Sequence, residues 1–98
     1  MEKLTGKYET VFIVNATLAD DQIAAVVEKF RALVEANATI EKVEEWGKRK
    51  LAYPIDYMNE GYYVLIGFTS DRDFPTELDR LYNINDAVIR SMIVKIEE

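Results

Sequence analysis

Gly61-Tyr62-Tyr63-Val64-Leu65-Ile66-Gly67-Phe68-Thr69 decides the fold. Tyr62, Val64, Ile66 and Phe68 alternate with Tyr63, Leu65, Gly67 and Thr69, so a strand here presents apolar side chains to both of its faces. A strand apolar on both sides belongs at the centre of a sheet. Upstream, Asp56 to Gly61 reads as a turn, and before it Thr39 to about Tyr53 mixes β-favouring Thr39, Ile40, Val43, Trp46 and Tyr53 with charges, as a half-exposed edge strand would. Pro54 is expected to end that strand. Counting by twos places Ile40 and Trp46 on one side and Val43 and Leu51 on the other, so a bulge or sharp twist is expected near Gly47.

Further upstream, Leu18 to Ala36 carries Leu18, Ile23, Val26, Val27, Phe30, Leu33 and Val34 at spacings of three and four, with Glu28, Lys29, Arg31 and Glu35 opposite. That is an amphipathic helix, with Thr17 as its expected cap and Asp20 and Asp21 at its positive end. Residues 7–15 form a strand with Tyr8, Thr10, Phe12 and Val14 on one face and Glu9, Val11 and Ile13 on the other. Downstream, a short helix from about Pro75 to Tyr82 is expected to bury Leu78, Leu81 and Tyr82, and Val88 to Ile96 is the last strand. Strand, helix, strand, strand, helix, strand folds most simply into an α+β, ferredoxin-like βαββαβ sandwich: a four-stranded antiparallel sheet with two helices on one face. The opposite face stays open, with Val11, Ile13, Tyr63 and Leu65 at its middle, an apolar surface where polar residues are the norm.

Ninety-eight residues, 49% hydrophobic, suit one domain spanning 1–98. There is neither cysteine nor histidine, which removes disulfides, thiolate nucleophiles, an imidazole base and ordinary zinc sites. No apolar run approaches the roughly 20 residues of a membrane span, and no secretory leader is legible, so an intracellular, soluble protein is expected. The carboxylate pairs Asp20-Asp21 and Glu44-Glu45 diverge in a helix or strand and cannot work as an acid and base. No glycine-rich phosphate loop or serine elbow appears. The expectation is therefore no catalytic residues, no metal, no cofactor and no enzyme.

The net charge is minus six, yet Lys48-Arg49-Lys50 places three cations side by side, and without them 9 basic residues face 18 acidic ones. Any contact with a polyanion must then be local. A triplet of Lys and Arg suits phosphate contact without base readout; on charge alone, protection of an exposed strand against edge-to-edge pairing is the stronger reading.

Glu44-Glu45-Trp46-Gly47-Lys48-Arg49-Lys50-Leu51-Ala52-Tyr53-Pro54-Ile55, followed by Gly61-Tyr62-Tyr63, resembles the signature region of the bacterial small-subunit ribosomal protein S-six family. Lys7-Tyr8-Glu9 and Asp86 to Lys95 are similar to its first and last strands. The resemblance implies a structural ribonucleoprotein of the cytoplasmic ribosome that binds 16S ribosomal RNA in the central domain of the small subunit, with ribosomal protein S-eighteen as partner. It implies RNA contacts at Lys48, Arg49 and Lys50, and further ones at Lys7 and Arg90. Trp46, Val11, Ile13, Tyr63 and Leu65 are the candidates for the protein partner, and Tyr53 and Pro54 are read as structural, covering the sheet end. Two other readings share the fold: an RNA-recognition-like module using the open face, and a small-ligand regulatory domain. The first lacks the aromatic expected on strand one, where Val11 and Ile13 stand.

Overall fold

Eleven consecutive residue pairs join β1 (Thr5–Asn15) antiparallel to β3 (Met58–Asp71), from Thr5 opposite Asp71 to Asn15 opposite Gly61. The structure, a computed structural model, describes residues 5–55 and 58–96, and at 52–55, 58 and 59 the backbone alone. Between the two central strands run α1 (Asp20–Asn37) and β2 (Thr39–Ile55), and after them come α2 (Phe74–Asn83) and β4 (Val88–Ile96). The sheet order is β2-β3-β1-β4, all neighbours antiparallel, so the expected ferredoxin-like topology is the one observed.

One face of the central pair makes the core. Tyr8, Phe12 and Val14 of β1 and Val64, Ile66 and Phe68 of β3 meet Ile23, Val27, Phe30 and Val34 of α1 and Phe74, Leu78 and Tyr82 of α2. At its centre the rings of Phe12, Phe30 and Tyr82 lie 4.7 to 5.5 Å apart, tilted as aromatic quadrupoles prefer. Thr10 is buried among them with its hydroxyl 3.1 Å from both the Met92 carbonyl and the Tyr82 hydroxyl. One proton cannot serve both, so Thr10 donates to Met92 and Tyr82 donates to Thr10. Burial holds the Tyr82 phenol protonated far above its ordinary range.

Four expectations need correction. Thr17 does not cap α1: its N–H and hydroxyl both donate to Asn15 Oδ1, at 2.9 and 2.6 Å, and the cap is Ala19, whose N–H donates to Gln22 Oε1 at 3.1 Å. Pro54 does not end β2, which runs to Ile55; an edge strand tolerates a residue without a donor. Residues 58–61 belong to β3 and not to a turn, while Asp56 and Tyr57 lie outside the described residues. The covering role given to the Tyr53 and Pro54 side chains also lies outside them.

The faces of β2 are the fourth. The bulge at Gly47 is present, with φ +80°, but a second register shift falls between Ile40 and Lys42. Each extra residue inverts the alternation beyond it. Ile40 and Val43 therefore sit opposite Phe68 and Ile66 on the helix side, and Trp46 and Leu51 join the open face.

The core makes a direct prediction. Phe30→Ala should lower the unfolding free energy by about 3–5 kcal/mol, whereas Tyr82→Phe, which removes one hydrogen bond and only the hydroxyl oxygen, should cost about 0.5–1.5 kcal/mol. Urea unfolding followed by circular dichroism measures both, and similar losses for the two would contradict this account.

Candidate functional site

The open face is built on the same β1–β3 register, one residue out of phase with the core. Val11 stands opposite Leu65 and Ile13 opposite Tyr63; on the other side Val11 faces Met92 and Glu9 faces Val94. Ile13, Leu65 and Leu51 are buried although none of the described helices covers them, because they lie in a trough between bulkier neighbours. Around the trough Met92, Val94 and Trp46 are 56, 47 and 38% exposed. A contiguous apolar surface of this kind is a candidate binding site.

Gly61 sets the trough's shape. A Cβ there would lie 2.2 Å from Ile13 Cγ2, with Leu51 and Ile89 next nearest, so only glycine lets Ile13 fill the gap between the two strands.

Trp46 is fixed in the β2 bulge from three directions. Its ring stacks on Tyr63 with centroids 6.3 Å apart, its indole N–H donates to Glu44 at 3.0 Å, and the Arg49 guanidinium lies 5.5 Å from its ring centroid. Arg49 also donates through Nε to the Trp46 carbonyl at 3.3 Å. Glu44 is tied in turn to Lys42, whose ammonium lies 3.7 Å from it and 3.1 Å from Glu9 on β1. The hydrogen bond to Glu9 pushes the Lys42 pKa up, and these links lock the rim of the face at the β2 edge.

The bulge also fixes which face each member of the cationic triplet takes. Lys48 sits opposite Tyr62 and Lys50 opposite Glu60, on the helix side of β2, while Arg49 pairs with Gly61 and lies on the open face. This is the split that simple alternation predicts. Lys48 Nζ is 3.5 Å from Asp20 at the start of α1, and beside it Tyr62 donates to Glu45 at 2.8 Å, a bond that raises the Tyr62 pKa. Lys7 pairs with Ile96 and Arg90 with Ile13, which puts both on the open face. The five candidate cations thus form two groups: Lys48 and Lys50 behind the sheet edge, and Arg49, Lys7 and Arg90 around the apolar trough.

Trp46, Val11, Ile13, Tyr63 and Leu65, the residues proposed from sequence for a protein partner, all come together on this face. Reading the sequence missed Met92, Val94 and Leu51. The alternation of Arg90, Met92, Val94 and Ile96 carried the signal for two of them; Leu51 was hidden by the shifted register of β2. Among the described residues no cluster of acids could hold a metal, and no helix is long and apolar enough to cross a membrane.

Residues 7–95 match the family model for ribosomal protein S6. The chain belongs to the ribosomal protein S6 family. It is 48% identical over 93 residues to small ribosomal subunit protein bS6 of Clostridium perfringens, covering 94% of this chain and 98% of that one. It is 52% identical over 92 residues to the bS6 protein of Clostridium botulinum strain Hall, covering 93% and 98%. The crystal structure of ribosomal protein S6 from Thermotoga maritima superposes with a TM-score of 0.88 at 30% identity, over 95% of this chain and 89% of that one. As a family member the chain is a structural protein of the small ribosomal subunit and not an enzyme, and its place is the ribosome of the bacterial cytoplasm.

Two glycine substitutions separate crowding from backbone strain. Gly61→Ala should displace Ile13 and cost about 1–3 kcal/mol, with amide shifts across the open face in an NMR spectrum. Gly47→Ala meets open space and should cost only the strain of a left-handed residue, about 1–2 kcal/mol. Unaltered Ile13 signals in the Gly61 variant would contradict the packing described.

Proposed function

We propose that this chain binds 16S ribosomal RNA in the central domain of the small subunit jointly with ribosomal protein S-eighteen, the protein covering the open sheet face and the RNA meeting the cationic edge. The observation that carries this reading is the bulge at Trp46 and Gly47, which puts an apolar trough and two lysines on opposite sides of one strand. Each surface then has its own chemistry.

The trough supplies the desolvated centre of a protein interface: Ile13, Leu65 and Val11 as floor, Trp46, Tyr63 and Met92 as anchors, and Glu9 and Glu44 to meet a basic neighbour. Lys48 and Lys50 supply phosphate contacts. Lys48 can exchange the exposed Asp20 carboxylate for a phosphate at little cost, since exposed ion pairs contribute about 0–1 kcal/mol. Arg49, Lys7 and Arg90 ring the trough where the protein and RNA surfaces would meet. Partner sharing also answers the charge problem, because a chain of net charge minus six repels RNA until a basic neighbour offsets it.

Two measurements on a 16S fragment test the reading. The isolated chain should bind weakly and S-eighteen should strengthen binding greatly; equal affinity with and without that protein would point instead to direct RNA reading by the Trp46–Tyr63 face. Changing Lys48 and Lys50 of the triplet together to Gln, with Arg49 kept because it holds Trp46 on the open face, should leave the fold and the protein pair intact while weakening RNA binding. The slope of log affinity against log salt should become shallower by roughly 0.7–0.9 for each phosphate that is no longer neutralised. An unchanged slope and affinity would reduce the two lysines to protection of the strand edge.

A further inference from the structure

At the bulge of β2 the strand ladder leaves one residue out. Glu45 pairs with Val64 and Gly47 with Tyr63, so Trp46 between them has no partner on β3, and pairing resumes with Lys48 opposite Tyr62 and Arg49 opposite Gly61. A bulged residue is not held in place by strand pairing. Nor do contacts at Gly47 hold it: its φ is +80°, and a side chain there would meet nothing within 4 Å. The indole of the open face therefore stands, 38% exposed, on backbone that the sheet does not fix.

Side chains fix it instead. Tyr63 stacks on the ring, Glu44 accepts the indole N–H, and Arg49 makes two contacts at once. Its Nε–H donates to the Trp46 carbonyl at 3.3 Å, and its guanidinium lies 5.5 Å from the ring centroid. The first contact ties the bulged residue to a point where pairing has resumed, and the second restrains the ring itself. Only arginine suits both tasks. A planar guanidinium stacks on an indole and carries an N–H on its stem, whereas a lysine ammonium is a point charge with every donor at its tip. Lys48 and Lys50 lie on the other side of the strand, opposite Tyr62 and Glu60, and Lys48 reaches Asp20. We infer, on the reading of the open face as the S-eighteen surface, that Arg49 is a positioning residue for that protein interface and not a phosphate ligand. It holds Trp46 in the orientation the partner meets, so that docking does not have to order the indole. The arginine of Lys48-Arg49-Lys50 then has a different task from the lysines that flank it.

Arg49→Lys, which keeps the charge, and Arg49→Gln, which removes it, test this in the whole chain. Trp46 is the chain's only tryptophan, so its fluorescence is read without interference from another indole. With circular dichroism unchanged, time-resolved anisotropy of the free wild-type chain should show the indole tumbling with the molecule, and both variants should add a fast local motion. Both should bind S-eighteen about fivefold more weakly. With S-eighteen saturating, the slope of log RNA affinity against log salt should be the same for all three chains. A slope shallower by roughly 0.7–0.9 in Arg49→Gln and restored in Arg49→Lys would make Arg49 a phosphate ligand and overturn the inference. Full S-eighteen affinity in Arg49→Lys would overturn it too. Failure of the wild type itself to bind S-eighteen would overturn the reading of the face, whereas an indole equally immobile in all three free chains would overturn this inference alone.

Discussion

The continuous pairing of β1 with β3 is the constraint from which everything else in this molecule follows. Side chains alternate strictly along a strand, so eleven uninterrupted pairs produce two faces that cannot exchange residues without a slip of the whole register. One face holds Phe12, Val64, Ile66 and Phe68 under the helices, and the other holds Val11, Ile13, Tyr63 and Leu65 with none of the described helices over it. Both being apolar, the first explains stability and the second calls for a partner. Gly61 belongs to the same constraint, since it lets Ile13 close the gap between the central strands.

The edge strand departs from this regularity, and its departures carry the functional argument. A bulge costs a strand local pairing and gives it a change of face. The bulge at Trp46 and Gly47 turns the indole onto Tyr63 and decides that Arg49 takes the open face while Lys48 and Lys50 take the other. A regular strand from Thr39 onward would have put Val43 and Leu51 together and confused the apolar face with the charged edge. In a protein of net charge minus six, this placement gathers Lys48 and Lys50 on one side of the sheet edge and sets Arg49 on the other.

Alternation and helical periodicity, each a local property, made most of the architecture legible in the sequence. β4 begins and ends at the residues expected, Val88 and Ile96, and the faces of β1 and β3 were read correctly because neither is bulged against the other. β2 resisted reading for the opposite reason. Gly47 announces its bulge through a backbone conformation that favours glycine, but the shift between Ile40 and Lys42 involves no such residue and has no sequence mark. Thr17 carried the pattern of a cap yet is occupied by Asn15, a competition between neighbouring side chains that spacing alone does not resolve. At the candidate site, the residues on the central strands and the edge residue Trp46 were legible, whereas Met92 and Val94 were missed despite their alternation and Leu51 was hidden by the shifted register of β2. Their membership depends on which strands lie side by side.

The central claim is that protein and RNA engage opposite sides of β2. Covalent footprinting of side chains read by mass spectrometry tests it most directly, applied to the chain alone, with S-eighteen, and with S-eighteen and a 16S fragment. The account predicts that Trp46, Tyr63 and Met92 lose reactivity as soon as the protein is added, and that Lys48 and Lys50 lose it only when RNA follows. Protection of Lys48 and Lys50 by the protein alone, with Trp46 and Met92 still reactive, would contradict it.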